Sequence, residues 1–296
     1  MRLILTAAMA FSATSAAAQE FPVHLQDGAS WTITAEHSRS VEGGGPTQNW
    51  SLTTVKRLTW HAPSADGKST VTVSPLSATA GPNSPPEVAQ ARSLAIPATL
   101  AVGAGLAPGD VLNREEVRAE FRRLVPSANP QDTPLIDVSA RVMIAAELAA
   151  VSRGQGLGFP GGRPTEASVQ LPNPLGGGPP LRATQAAQLE SFDRTMGIAK
   201  VRWSQALDPQ SFKTAVAAMI TQLGRQKLAP AKLAEARATL ESATYSNHTD
   251  CSYVIDIRTG LASRAQCADA THLSVQGRSQ DVVETWTITQ STPDPL

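Results

Sequence analysis

The two cysteines of the chain, Cys251 and Cys267, bracket its clearest folding signal. Between them Tyr253, Ile255 and Ile257 alternate with Val254, Asp256 and Arg258, the period of two expected of a strand with one buried face. Arg258-Thr259-Gly260 then suits a three-residue hairpin loop, with Gly260 in the left-handed position after a type I turn. Closing that loop on Ile257 and Leu261 and stepping outward equally on both strands sets Cys251 directly opposite Cys267. Such opposed residues lie roughly 4.5–5.5 Å apart at Cα, within disulfide range. A redox pair would read Cys-x-x-Cys and a metal site would bring further ligands at short spacing. The pair is therefore expected to be a structural disulfide, on the face that carries Tyr253, Ile255, Ile257, Leu261 and Ala265. The other face places Asp256 diagonal to Arg264, a tolerable exposed ion pair.

A stable disulfide implies an oxidising compartment, and the N-terminus agrees. Met1-Arg2 precedes an apolar run from Leu3 to Ala10, and small residues follow to Ala16-Ala17-Ala18, the pattern of a signal peptide cut before Gln19. No other stretch approaches the roughly 18 apolar residues of a membrane-spanning helix. Residues 19–296 are accordingly expected to form a single α+β domain, periplasmic or secreted, with no membrane span. Formal charge is zero over the whole chain and −1 over residues 19–296, too little positive charge for a nucleic-acid partner.

Three strands open the domain. Trp31, Ile33 and Ala35 alternate with threonines and Glu36, and Trp50, Leu52, Leu58 and Trp60 share one side of the return strand. Val71 and Val73 mark a third strand, which makes an antiparallel meander. Lys56 falls on the apolar side of the second strand and must reach past its neighbours to solvent or find a partner. Residues 96–102 read as a buried strand. Asn113 and Glu116 resemble a capping box ahead of a helix with Val117, Phe121 and Leu124 inward and its arginines outward. Thr133-Pro134 opens a second helix whose stripe is Val138, Val142, Ala145, Leu148 and Ala149, widened by Met143 and Ile144.

Residues 153–180 are rich in glycine and proline and are expected to be a surface loop with at most one short strand at 167–171. Gly154-x-Gly156-x-Gly158 follows a helix and leads into Pro160, the wrong context for a phosphate loop. Alternation favours two strands over 181–207. Asp208-Pro209 caps a helix with Phe212, Val216, Met219 and Ile220 inward and Gly224 just past its end. Another helix over 230–243 leads into the disulfide hairpin. After it, Leu273 and Val275 suggest a third strand, and Val282, Trp286 and Ile288 a fourth. Trp31-Thr-Ile-Thr34 and Trp286-Thr-Ile-Thr289 are identical, which suggests that the first and last strands are neighbours or equivalent edges of one sheet.

The five histidines, His24, His37, His61, His248 and His272, are isolated in sequence, and no catalytic, cofactor or metal motif is present. His248 and Asp250 make too small a ligand set for a metal. Asp256 and Glu284 are the strand carboxylates that a hydrolase would need to pair in a cleft. Asp256-Ile-Arg-Thr259-Gly260-Leu261 and Trp286-Thr-Ile-Thr289, with the order of strands and helices, resemble bacterial exported proteins of unknown function. That resemblance implies a fold similar to the half-barrel of periplasmic lipoprotein carriers, a curved antiparallel sheet wrapped around amphipathic helices. It transfers no functional residue. It implies an envelope protein holding a lipid or other apolar ligand between sheet and helices, rather than an enzyme. The alternatives are an envelope-polymer hydrolase and a non-catalytic interaction or assembly module.

Overall fold

The computed structural model describes residues 19–43, 49–63, 67–81, 83–84, 96–124, 133–171, 173, 179–227 and 229–293. The proposed signal peptide, 1–18, lies outside them. A first meander comprises β2 (Ser30–Glu42), β3 (Trp50–His61), β4 (Ser69–Ala80), β5 (Ala98–Val102) and β6 (Pro108–Val111). Two helices follow, α1 (Arg114–Leu124) and α2 (Thr133–Ser152). The second meander starts at β8 (Thr165–Leu171), β9 (Leu181–Asp193) and β10 (Ile198–Leu207). It is interrupted by α3 (Pro209–Lys227) and α4 (Pro230–Ser242) and completed by β11 (Thr244–Asp256), β12 (Leu261–Val275) and β13 (Arg278–Gln290). A two-stranded ribbon pairs β1 (Gln19–Glu20) with β7 (Gly158–Phe159).

The two meanders join through β2 and β13 into one 11-stranded antiparallel sheet, with β6 and β8 as its open edges. The repeated Trp-Thr-Ile-Thr segments therefore belong to neighbouring strands, at the middle of the sheet, with Ile288 opposite Ala35. Period-two burial runs across the seam: Trp31, Ile33, Ala35 and Ile288 are buried. Their face packs against Val117, Phe121 and Leu124 of α1 and against Ile144, Leu148 and Val151 of α2. Val138 and Val142 sit on the part of α2 whose side chains fall outside the described ones.

The sheet must curve. Pro108 of β6 and Cys267 of β12 line one cavity although their strands are six positions apart in the sheet. Six flat spacings would separate them by about 29 Å. α2 lies inside that curve.

The disulfide hairpin forms with a modified turn. Cys251 pairs with Cys267 and Val254 with Arg264, but nearer the tip Ile255 pairs with Ala262 and Asp256 with Leu261. A bulge at this point takes up one residue of β12, so the turn is four residues long, 257–260, rather than three. The Gly260 amide donates to the Asp256 carbonyl at 2.7 Å, and Gly260 has the expected positive φ of 72°. A side chain there would also strike the Pro22 carbonyl oxygen at 2.2 Å, where the N-terminal segment crosses the turn. Asp256 does not meet Arg264. It binds the Arg258 amide and guanidinium, and those contacts, the side-chain one foremost, hold its carboxyl below the usual carboxylate range.

Four expectations need correction. The strand expected at 273–275 is the far end of β12, which runs unbroken from Leu261 and turns at Gln276-Gly277, both with positive φ, into β13. α3 continues through Gly224 to Lys227. Its start is as expected: Asp208 Oδ1 accepts the amides of Gln210 and Ser211, and the Ser211 bond is the main cause of a lowered carboxyl pKa. Asn113 does not close a capping box. Its Nδ2 donates to Glu116 while its Oδ1 accepts the Thr99 amide, so it ties α1 to β5.

The fourth correction concerns the glycine-rich segment. Gly154 and Gln155, expected on a surface loop, are buried at the C-terminal end of α2. Gln155 donates to the Gly105 carbonyl and accepts from the Ala262 amide and from Gln290, which in turn accepts from Trp31. Gly154 lies against the Tyr253 ring, where an added Cβ would come within 2.3 Å of Cγ. Gly154→Ala is expected to cost about 1–3 kcal/mol by overpacking, seen as a lower urea midpoint. An unchanged midpoint would mean that the ring moves freely.

Candidate functional site

Among the described residues, ionisable side chains gather at two places on the concave face. The first is the answer to Lys56. It is buried, and its Nζ donates to Glu147 Oε2 at 2.5 Å and to the carbonyls of Met143 and Ile144 at 3.1 Å each. Glu147, on the inward side of α2, also accepts from Thr54 Oγ1 at 2.8 Å. An ammonium has three protons to donate, and all three have acceptors here. A lysine so engaged and so enclosed has neither lone pair nor access for nucleophilic work. The pair fastens α2 to β3.

The second place is a cavity of about 420 Å³ between α2 and strands β11–β13. Ala145, Ala146, Ala149 and Ala150 form its floor, because these small side chains keep the helix from filling the curve. Trp286 forms a wall, stacked on His37 with ring centroids 3.6 Å apart, and Trp50 meets the other side of His37 edge-on. Asp269 and Glu284 also line the space and sit directly opposite each other on β12 and β13. Like charges in that relation repel.

Each carboxylate is held separately. Glu284 accepts from His37 Nε2 at 3.3 Å, which fixes that nitrogen as the protonated one, and faces Arg39 Nε at 3.6 Å. Asp269 accepts from Thr249 Oγ1 at 2.7 Å and from Asn247 Nδ2 at 2.8 Å. Nδ1 of His37 is buried without a hydrogen-bond partner among the described residues. Arg153, also on the lining, lies over the Trp203 ring at 5.2 Å. Burial, and then the negative charge of Asp269, pushes the nearby Tyr245 hydroxyl up to about 12.

Of the residues considered from sequence, Asp256 and Glu284 are not brought together. Glu284 is level with Asp269 and, one strand further, with Thr249, seven residues along β11 from Asp256. At about 3.3 Å per residue that is ~23 Å, and the odd step puts the two carboxylates on opposite faces of the sheet. His248 pairs with Asp250 at 2.9 Å and His272 with Asp281 at 2.7 Å, both in exposed positions. His61 reaches Thr72, and His24 is exposed. Among the described residues no group of three or more His, Cys, Asp or Glu is placed to hold a metal. Cys251 and Cys267 form the expected disulfide, with Cα atoms 4.1 Å apart.

Sequence reasoning missed Glu147, Asp269 and His37. Each carried a signal. Glu147 interrupts the apolar run Val142–Val151 of α2, as Lys56 is a lone base on an apolar strand face, and two such charges of opposite sign call for each other. Asp269 is two residues beyond the inward Cys267, and His37 is two residues beyond the inward Ala35 on the Trp31-Ile33-Ala35 face. The class defined by this geometry is an α+β protein with an open, curved antiparallel sheet around a central helix. The chain matches no family model, and no curated protein resembles it closely enough to count as a relative.

Proposed function

We propose that this is an exported envelope protein that holds a lipid or other apolar ligand between α2 and the concave face of the sheet. The observation that carries the reading is the cavity of about 420 Å³ on an alanine floor beneath Trp286. Its volume lies within the range of small-molecule sites, roughly 300–1,000 Å³. The disulfide is compatible with a periplasmic or secreted location after cleavage near Ala18-Gln19, and no helix among the described residues is long and apolar enough to cross a membrane. The resemblance to lipoprotein-carrier half-barrels points the same way.

The hydrolase alternative keeps no support from Asp256 and Glu284. Native mass spectrometry of protein from its own host is expected to show co-purified lipid. The neutral dye 1-N-phenylnaphthylamine is expected to bind the emptied protein saturably. Ala146→Phe and Ala149→Phe, at half-buried positions on the floor, should abolish that binding while thermal unfolding stays cooperative. Absence of saturable dye binding to the emptied protein would overturn the reading.

A further inference from the structure

We infer that the chain forms a two-fold dimer through β8, whose free edge pairs antiparallel with β8 of a second copy about Ser168.

The two open edges of the 11-stranded sheet are unlike each other. β6 is four residues long, starts with Pro108 and gives way to α1 at Arg114, a short and proline-blunted edge that resists pairing. β8 is seven residues long and contains no proline, lysine or bulge. Prolines stand immediately before and after it, Pro164 and Pro172, and have no amide with which to extend a ladder.

The register decides which backbone groups of β8 are free. The Arg182 carbonyl accepts the Asp208 amide at 2.9 Å, and the Arg182 amide donates to Ser211 Oγ at 3.0 Å, both on the side of β9 away from β8. Gln170, opposite Arg182, is therefore a non-hydrogen-bonded position, and the alternation of an antiparallel ladder extends this to Ser168 and Glu166. The amides and carbonyls of Glu166, Ser168 and Gln170 point out of the sheet, and no described residue pairs with them.

These three positions are symmetric about Ser168. A second β8 centred there sets Ser168 opposite Ser168 and Glu166 opposite Gln170, so every outward amide and carbonyl of both copies is paired. Glu166 is the one charge on the strand, and this register gives it an uncharged partner. Centring on Glu166 instead would oppose two carboxylates. The inward face also matches. Thr165, Ala167, Val169 and Leu171 continue the row of the buried Leu181, Ala183 and Ala187 of β9. Ala167 is exposed in the single chain and would meet Val169 of the second copy, while Leu171 would meet Thr165. A second copy is the occupant that this symmetry serves, because one register completes both edges at once. The edge lies away from the cavity on β11–β13, so pairing and ligand binding are separable.

A seam of seven residues is small beside the roughly 1,200–2,000 Å² of a stable complex, so the dimer forms at high concentration. Sedimentation equilibrium of the purified protein between about 10 μM and about 1 mM is expected to show the mass rising toward twice that of the monomer. Ser168→Lys and Ser168→Glu each place like charges face to face on the two-fold axis. Each should stay monomeric over the same range while unfolding as cooperatively as the wild type. Mixed in equal amounts, the two variants should dimerise again, because opposite charges now meet. A wild-type chain that stays monomeric throughout overturns the dimer and leaves the edge to an extended segment of another protein. A dimer that neither variant weakens overturns it by placing the contact elsewhere. Loss of the dimer in both variants without recovery in the mixture overturns the pairing about Ser168.

Discussion

Truncating either member of the Lys56–Glu147 pair is expected to destabilise the protein by about 3–5 kcal/mol, because each change strands a buried charge. For a chain of this size such a loss lowers the melting temperature by on the order of 10 °C. The side chains are 4 % and 1 % exposed, so solvent cannot take over the role of the missing partner. Lys56→Ala leaves the buried Glu147 charge beside the Thr54 hydroxyl that donates to it, and Glu147→Ala leaves an ammonium facing two helix carbonyls. Replacing both at once, Lys56→Met with Glu147→Leu, removes the desolvation cost together with the attraction. The double variant is expected to regain wild-type stability or exceed it. Urea unfolding of the wild type, Lys56→Met, Glu147→Leu and the double variant forms a double-mutant cycle that isolates the coupling. Single substitutions costing under about 1 kcal/mol would place the pair among exposed ion pairs instead.

That pair also shows how far local sequence reaches. The strand face that makes Lys56 anomalous is read from a period of two within β3, and the structure keeps that periodicity with Leu52 and Leu58 buried on either side. The partner lies 91 residues away on a different element, and no local pattern encodes that distance. Strands, helices and the central seam were legible because each depends on the spacing of apolar residues along one segment. The cavity was not, because it exists only once the sheet curves enough for β6 and β12 to face a common space. Gln155 was misplaced for a related reason. Its glycine neighbours suggest a solvated loop, whereas Gly154 serves to let the backbone approach Tyr253. Asp256 and Glu284 failed as a pair once register set their faces and heights.

Breaking the Cys251–Cys267 bridge is expected to lower stability by about 3 kcal/mol and to leave ligand binding in place. The estimate follows from the loop the bond closes, about 15 residues, whose restriction removes entropy from the unfolded chain rather than adding contacts to the folded one. In the folded state the register on both sides of the bridge is held without it: Ser252 pairs with Gln266 and Asp250 with Ala268 in a continuous antiparallel ladder. Cys267 borders the cavity, but its sulfur touches Tyr253 at 3.7 Å, and Tyr253 is anchored independently through its hydroxyl to the Ala150 carbonyl at 2.9 Å. The cavity wall therefore outlasts the bond. Cys251→Ala with Cys267→Ala avoids burying unpaired hydroxyls and should melt several degrees lower while binding 1-N-phenylnaphthylamine as before. Loss of dye binding at unchanged melting temperature would make the bridge part of the binding apparatus and would contradict its placement as a strand staple.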